Sequence, residues 1–163
     1  MALAEGDSLR EGDQAPDFTM PASGGRTVSL KGLKGKPFLL YFYPKADTPG
    51  CTKEACAFQE ALPALGGIGI DVIGVSKDKM PALEKFAAKY NLAFPLASDE
   101  SGAVVEAFGA WVEKSMYGRK YMGIDRSTFL VGADGRIAKA WRGVKVPGHA
   151  KAVMDAAAAL PKA

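Results

Sequence analysis

Residues 35–44, GKPFLLYFYP, hold an apolar and aromatic run that stops at a proline. It is too short for a helix of ordinary length and shows no alternation with polar residues. It therefore reads as a strand covered on both faces, as in sheets sandwiched between helices. A chain with such a strand must supply two covering layers, and the remaining sequence has the patterns to do so. CTKEACAFQEALPAL, from Cys51, has helical spacing that puts Ala55, Phe58 and Leu62 on one face. GIDVIGVSKD repeats the buried-strand pattern. MPALEKFAAKYN is a helix with Pro81 in its first turn and Leu83, Phe86, Ala87 and Tyr90 on one side. FPLASD reads as a short strand and SGAVVEAFGAW as a short helix running into a loop. RSTFLVGADGRIAKAWRG reads as a hairpin about Asp134-Gly135, and PGHAKAVMDAAAAL as a closing helix.

Ahead of these elements, PDFTMPASGGRTVSL reads as two short strands around a Ser-Gly-Gly turn. The order strand, helix, strand, helix, then hairpin and helix is that of a thioredoxin-like α/β fold. The expected architecture is a mixed central sheet flanked by helices, with an N-terminal β-hairpin. No repeat or linker divides the 163 residues, so one domain over 1–163 is expected, with residues 1–12 as an N-terminal arm.

Net charge is +3, from 21 basic and 18 acidic residues scattered along the chain, which gives a nucleic-acid or membrane-surface role no support. MALAEGDSLREGDQAPDF lacks a basic segment followed by an apolar run, and no stretch approaches the ~20 apolar residues of a membrane span. The expectation is a cytoplasmic protein, where two nearby cysteines serve catalysis, redox sensing or metal binding more often than scaffolding.

The two cysteines, Cys51 and Cys56, stand five residues apart, just after the loop KADTPG. Cys51 lies where a strand-to-helix loop ends. The unsatisfied amides and positive dipole end of a helix N-terminus stabilise a thiolate there. Pro44 and Pro49 stiffen the loop, and Thr48 can turn its hydroxyl toward the sulfur. The bland reading is a buried cysteine acting as a small hydrophobe. On an ideal helix, residues five apart have Cα atoms about 8.7 Å apart, beyond the ~4.4–6.8 Å that a disulfide accepts. The pair can stay reduced on an intact helix, or bond once its first turns unwind. Oxidation of Cys51 to a sulfenic acid by a peroxide would supply the occasion, since a second thiol can condense with that group. Donors for the peroxide are the Gly50 and Cys51 amides, the Thr48 hydroxyl and a distant cation. Arg126, which opens STFLV, is the best cation by sequence, although taken alone it reads as a surface arginine.

YFYPKADTPGCTKEAC resembles the active-site segment of the peroxiredoxins, in particular the bacterioferritin comigratory protein (PrxQ) group. Pro44, Thr48 and Cys51 match the family's proline, threonine and peroxidatic cysteine, and Arg126 in GIDRSTFLV matches its arginine. Similarity runs from GDQAPDF through EKSMYGRKYMGIDRSTFLV and DGRI to GHA. The resemblance implies a thioredoxin fold and reduction of hydrogen peroxide and organic hydroperoxides by Cys51. It also implies Cys56 as the resolving cysteine, an intramolecular disulfide and recycling by thioredoxin, with glutaredoxin the other candidate reductant. An intramolecular resolving cysteine needs no partner chain, so a monomer is expected, and no cofactor or metal is expected. Ala46 stands where an acidic residue is common in the group, and Gly132 where an aspartate is frequent.

Two other readings use the same cysteines: a redox sensor or holdase switched by the pair, and a general disulfide oxidoreductase, which would prefer two intervening residues. His149 reads as a capping or surface residue. One histidine and two cysteines fall short of a structural zinc site unless carboxylates complete it. The aromatic and Met-rich stretch with Trp111, Met116, Tyr117, Tyr121 and Met122 reads first as core or wall packing. GGIGI lacks the spacing of a phosphate loop.

Overall fold

A computed structural model describes residues 9–160. The expected N-terminal hairpin is present: β1 (Thr19–Ala22) and β2 (Arg26–Ser29) pair antiparallel around a short 3₁₀ turn at Ser23–Gly25. The apolar run forms β3 (Phe38–Phe42), buried at every position. Next come α1 (Pro49–Gly67), β4 (Asp71–Ser76), α2 (Met80–Tyr90), β5 (Leu96–Ser98) and α3 (Ala103–Ala107). A ribbon of β6 (Trp111–Met116) and β7 (Arg119–Ile124) precedes β8 (Ser127–Val131), β9 (Ile137–Trp141) and α4 (His149–Ala158).

Seven strands form one mixed sheet in the order β2-β1-β5-β4-β3-β8-β9. β3 runs parallel to β4 and antiparallel to β8 at the centre. Its alternating side chains divide between two cores, which is why the run shows no polar alternation. Phe38, Leu40 and Phe42 pack with Phe18, Phe108 and Phe129 on one face. Leu39, Tyr41 and Tyr43 pack on the other face with residues of α1, α2 and α4, including Phe58, Phe86 and Val153.

α1 begins because Thr48 is extended and Pro49 fits the first turn, where its missing N–H has no ladder partner to lose. Its buried stripe is Cys51, Glu54, Ala55, Phe58, Ala61 and Leu65, and Leu62 is only half-buried. The Asp134-Gly135 turn is as expected, with Gly135 at φ 79°. Of the expected arm, residues 1–8 lie outside the described residues. Residues 12–15 run beside β9, where the Gly12 amide bonds the Ile137 carbonyl at 2.7 Å and the Ala15 amide that of Gly135 at 2.9 Å. Among the described residues, no helix is long and apolar enough to cross a membrane.

The stretch from Trp111 to Met122 corrects the sequence reading. It is not core, but a two-stranded ribbon outside the main sheet, turning at Tyr117 and Gly118, both at positive φ. Tyr117 is 98% exposed and Met116, Tyr121 and Met122 are exposed as well, while Trp111 alone of the five packs against the core. Apolar content imitates a core here because, among the described residues, no sheet or helix packs against the ribbon beyond Trp111 and Ile124, which leaves its other apolar side chains in water.

Candidate active site

The site lies where β3, α1 and β8 meet. β3 delivers the chain to Pro44, which lacks the N–H needed to extend the ladder and sits exposed at the loop entry. The loop turns through Asp47, in the left-handed region at φ 58°, and reaches Thr48 and the first turn of α1. Cys51 is the third residue of the helix, 2% exposed and reduced. The Gly50 and Cys51 amides of the first turn have no carbonyl one turn earlier in the helix to bond, which leaves them as donors beside this sulfur.

Arg126 reaches this point from the start of β8. Its Nη2 donates to Cys51 Sγ at 3.3 Å, and the same nitrogen lies 3.3 Å from where a Cβ on Gly50 would stand. Glycine at position 50 thus leaves room for the guanidinium to cover the helix start. The Arg126 carbonyl accepts the Val144 amide at 2.9 Å, which fixes the strand end. The surface-arginine reading is therefore set aside: the side chain is 16% exposed and faces the thiol.

Glu54 is a residue that the sequence reading missed. It is 2% exposed, and its Oε1 accepts from Arg126 Nη1 at 2.7 Å. One guanidinium therefore spans a carboxylate and a thiol, and its planar fork fixes the direction of both bonds. Burial pushes the Glu54 carboxyl up to about 7, against the charge and hydrogen bond of Arg126, which pull it down. Its Oε2 has no hydrogen-bond partner among the described residues. A signal existed in the sequence. Glu54 stands three residues after Cys51 and four before Phe58, on the apolar stripe itself, where a carboxylate needs a buried partner.

Thr48 is half-buried at the helix N-cap, but its hydroxyl is not spent on capping. It donates to the Lys45 carbonyl at 2.8 Å, so its proton points back into the loop and its lone pairs stay available. Cys56 follows five residues after Cys51 in unbroken helix, half-buried and reduced. The structure thus holds the two thiols in the separated arrangement that the spacing describes.

His149 is neither a cap nor a surface residue. It is 7% exposed, its Nε2 shares a 2.8 Å hydrogen bond with Thr128 Oγ1, and its ring meets Phe58 and Trp141 edge-on. Burial, with the nearby Arg126 charge, pushes its pKa down to about 4, so the ring is neutral at pH 7. The helix start at His149 is tucked under α1 by tertiary packing, which no local pattern reports. Among the described residues, no group of three or more His, Cys, Asp or Glu side chains is placed to hold a metal ion.

The AhpC/TSA family model matches residues 11–140. A putative peroxiredoxin bcp of Coxiella burnetii is 48% identical over 147 residues, covering 90% of this chain and 97% of that protein. Peroxiredoxin Bcp of Escherichia coli is 44% identical over 147 residues, covering 90% and 94%. The fold matches solved Xanthomonas campestris peroxiredoxin Q with a TM-score of 0.85 at 42% identity, covering 93% of this chain and 96% of that one. The expected thioredoxin-like fold is thereby established. A reduced thiol at a helix start, faced by a half-buried arginine, suits peroxide chemistry, and the chain belongs to the AhpC/TSA family as a peroxiredoxin of the bacterioferritin comigratory protein (PrxQ) group, an oxidoreductase of the thiol peroxidase class.

Proposed function

We propose that the chain, as a single thioredoxin-like domain, reduces hydrogen peroxide and organic hydroperoxides through Cys51, with Cys56 resolving the product and thioredoxin or glutaredoxin renewing the pair. The observation that carries this reading is the Arg126 fork, with Nη1 locked on Glu54 and Nη2 aimed at Cys51 Sγ. A thiolate at Sγ attacks the terminal peroxide oxygen. The O–O bond breaks, its electron pair leaves with the alkoxide or hydroxide, and that oxygen takes a proton to become alcohol or water. Cys51 is left as a sulfenic acid. Arg126 supplies donors to the oxygens as charge shifts onto the departing one. Thr48, its own proton committed to Lys45, accepts the O–H of the bound peroxide and orients it. Pro44 stiffens the loop that presents Thr48.

Cys56 then attacks the sulfenic sulfur, releasing water and forming the disulfide. The two Cα atoms, about 8.7 Å apart on a helix, must first approach, so the first turns of α1 unwind. The unwound segment presents the disulfide to a dithiol reductant, which takes the two electrons back. Both cysteines lie in one helix, so a monomer suffices. A cytoplasmic setting suits two free thiols.

The test is peroxide consumption with thioredoxin and its reductase for wild type, Cys51→Ser and Cys56→Ser. Wild type should turn over repeatedly, Cys51→Ser should be inactive, and Cys56→Ser should be oxidised without forming the intramolecular disulfide. Turnover by Cys51→Ser, or a wild type that stops after one equivalent, would overturn the reading.

A further inference from the structure

The loop carrying Thr48 consists of exposed and half-exposed residues from 44 to 48 and has little core of its own. Its position nevertheless matters, because Thr48 and Arg126 must address one peroxide from different parts of the chain. Arg126 is held by Glu54 and by its place at the start of β8. Thr48 is held on the helix side by the Thr52 amide, which donates to its carbonyl at 2.8 Å, and on the other side by its loop.

Two carboxylates hold that loop from outside the reacting groups. The Ala46 amide donates to Asp78 Oδ2 at 2.8 Å, and the same oxygen accepts the Ser76 hydroxyl at 2.8 Å. Asp78 is fixed in turn: its amide donates to Ser76 Oγ at 3.2 Å, and its carbonyl accepts the Ser98 hydroxyl at 2.6 Å. Ser76 and Ser98 are buried strand residues, so this anchor belongs to the rigid sheet. Asp47, next to Thr48, adopts a positive φ uncommon outside glycine. Its carboxylate accepts from Tyr90 Oη at 2.8 Å and Lys89 Nζ at 2.9 Å, at the end of α2.

We propose that Asp78 is a positioning residue of the peroxide site, holding Thr48 in register through the Ala46 amide, with Asp47 as an outer tether. The proposal rests on the reading that Thr48 orients the peroxide. Neither hydrogen-bond set includes the sulfur or the guanidinium. The tethers therefore act on attack at a bound peroxide and leave the intrinsic reactivity of the Cys51 thiol alone.

That division gives the test. The rate of Cys51 oxidation by hydrogen peroxide is compared with the rate of its alkylation by iodoacetamide, a reagent that needs no Thr48, in the full chain. Misplacing a substrate-orienting group by an ångström can cost two orders of magnitude, so Asp78→Ala should lose about tenfold or more in peroxide rate, with alkylation within about threefold of wild type. Asp78→Asn keeps an acceptor oxygen for the Ala46 amide and should recover most of the loss. Asp47→Asn, which tolerates the positive φ at this exposed position and loses the charge that binds Lys89, should lose roughly threefold in peroxide rate alone. If Asp78→Ala does not fold, Asp47→Asn decides. An unchanged peroxide rate, or peroxide and alkylation rates falling in parallel, overturns the proposal. A Cys51→Ser chain that still consumes peroxide would instead bring down the underlying reading, and this proposal with it.

Discussion

Replacing Glu54 with Gln should make the protein more stable at pH 8 and a poorer peroxidase. Glu54 is 2% exposed, and its carboxyl is raised from 4.5 to about 7, first by burial and against the pull of Arg126. Between those values the folded chain holds a proton that the unfolded chain has released, so stability falls as pH rises. The contribution is intact below pH 4.5 and lost by the time pH has passed about 7. At about 1.4 kcal/mol per pH unit, the loss is about 3 kcal/mol. His149 works in the opposite sense. Its pKa is lowered from 6.5 to about 4, so stability is lost as pH falls through that range. The two slopes overlap and partly cancel in wild type, and only a difference profile isolates Glu54. Thermal unfolding of wild type and Glu54→Gln from pH 4.5 to 8.5 should give nearly equal midpoints at the acid end. Gln should lead by roughly 6–12 °C at the alkaline end, at about 2–4 °C per kcal/mol for a domain of this size. Activity should move the other way. The ion pair that aims Arg126 becomes a weaker bond from the guanidinium to a neutral amide oxygen, costing roughly tenfold in peroxide rate. A flat difference profile, or a Gln variant less stable at every pH, would refute the account of Glu54 as a strained buried carboxylate.

Arg126→Lys keeps the charge but cannot span Glu54 and Cys51 with a planar fork, so stopped-flow oxidation of Cys51 should slow by roughly tenfold or more. A rate within about twofold of wild type would mean that the fork geometry is irrelevant. Hydrogen exchange over residues 51–60 should accelerate in the disulfide form relative to the reduced form. Equal protection, with the disulfide verified by mass, would rule out unwinding of α1. Gly74→Ala would place a Cβ 2.9 Å from Tyr41 Cζ and Oη and 3.1 Å from Leu96 Cδ2. Such overpacking costs about 1–3 kcal/mol, so calorimetry should show a midpoint several degrees lower, and an unchanged midpoint would contradict the tight β3–β4 packing.

The sequence by itself determined the features that depend on short-range periodicity and local backbone chemistry. The doubly buried β3, the start of α1 at Pro49, the Asp134-Gly135 turn and the separation of Cys51 from Cys56 follow from neighbours within one or two turns of chain. Burial of Glu54 was signalled by its place on the α1 stripe, but its partner was not. Arg126 lies 72 residues away, and an i, i+3 position cannot say which strand end will arrive beside it. Tertiary structure alone decided that Arg126 faces the thiol, that the Ala46 amide in the Thr48 loop meets Asp78 from 32 residues further on, and that His149 is buried against Thr128. It also decided that the Met- and Tyr-rich ribbon after Trp111 stays in water. Hydrophobic composition measures what a segment would gain by burial. Whether it is buried depends on which surface the rest of the chain brings against it, and for β6 and β7 the described chain brings almost none beyond Trp111 and Ile124.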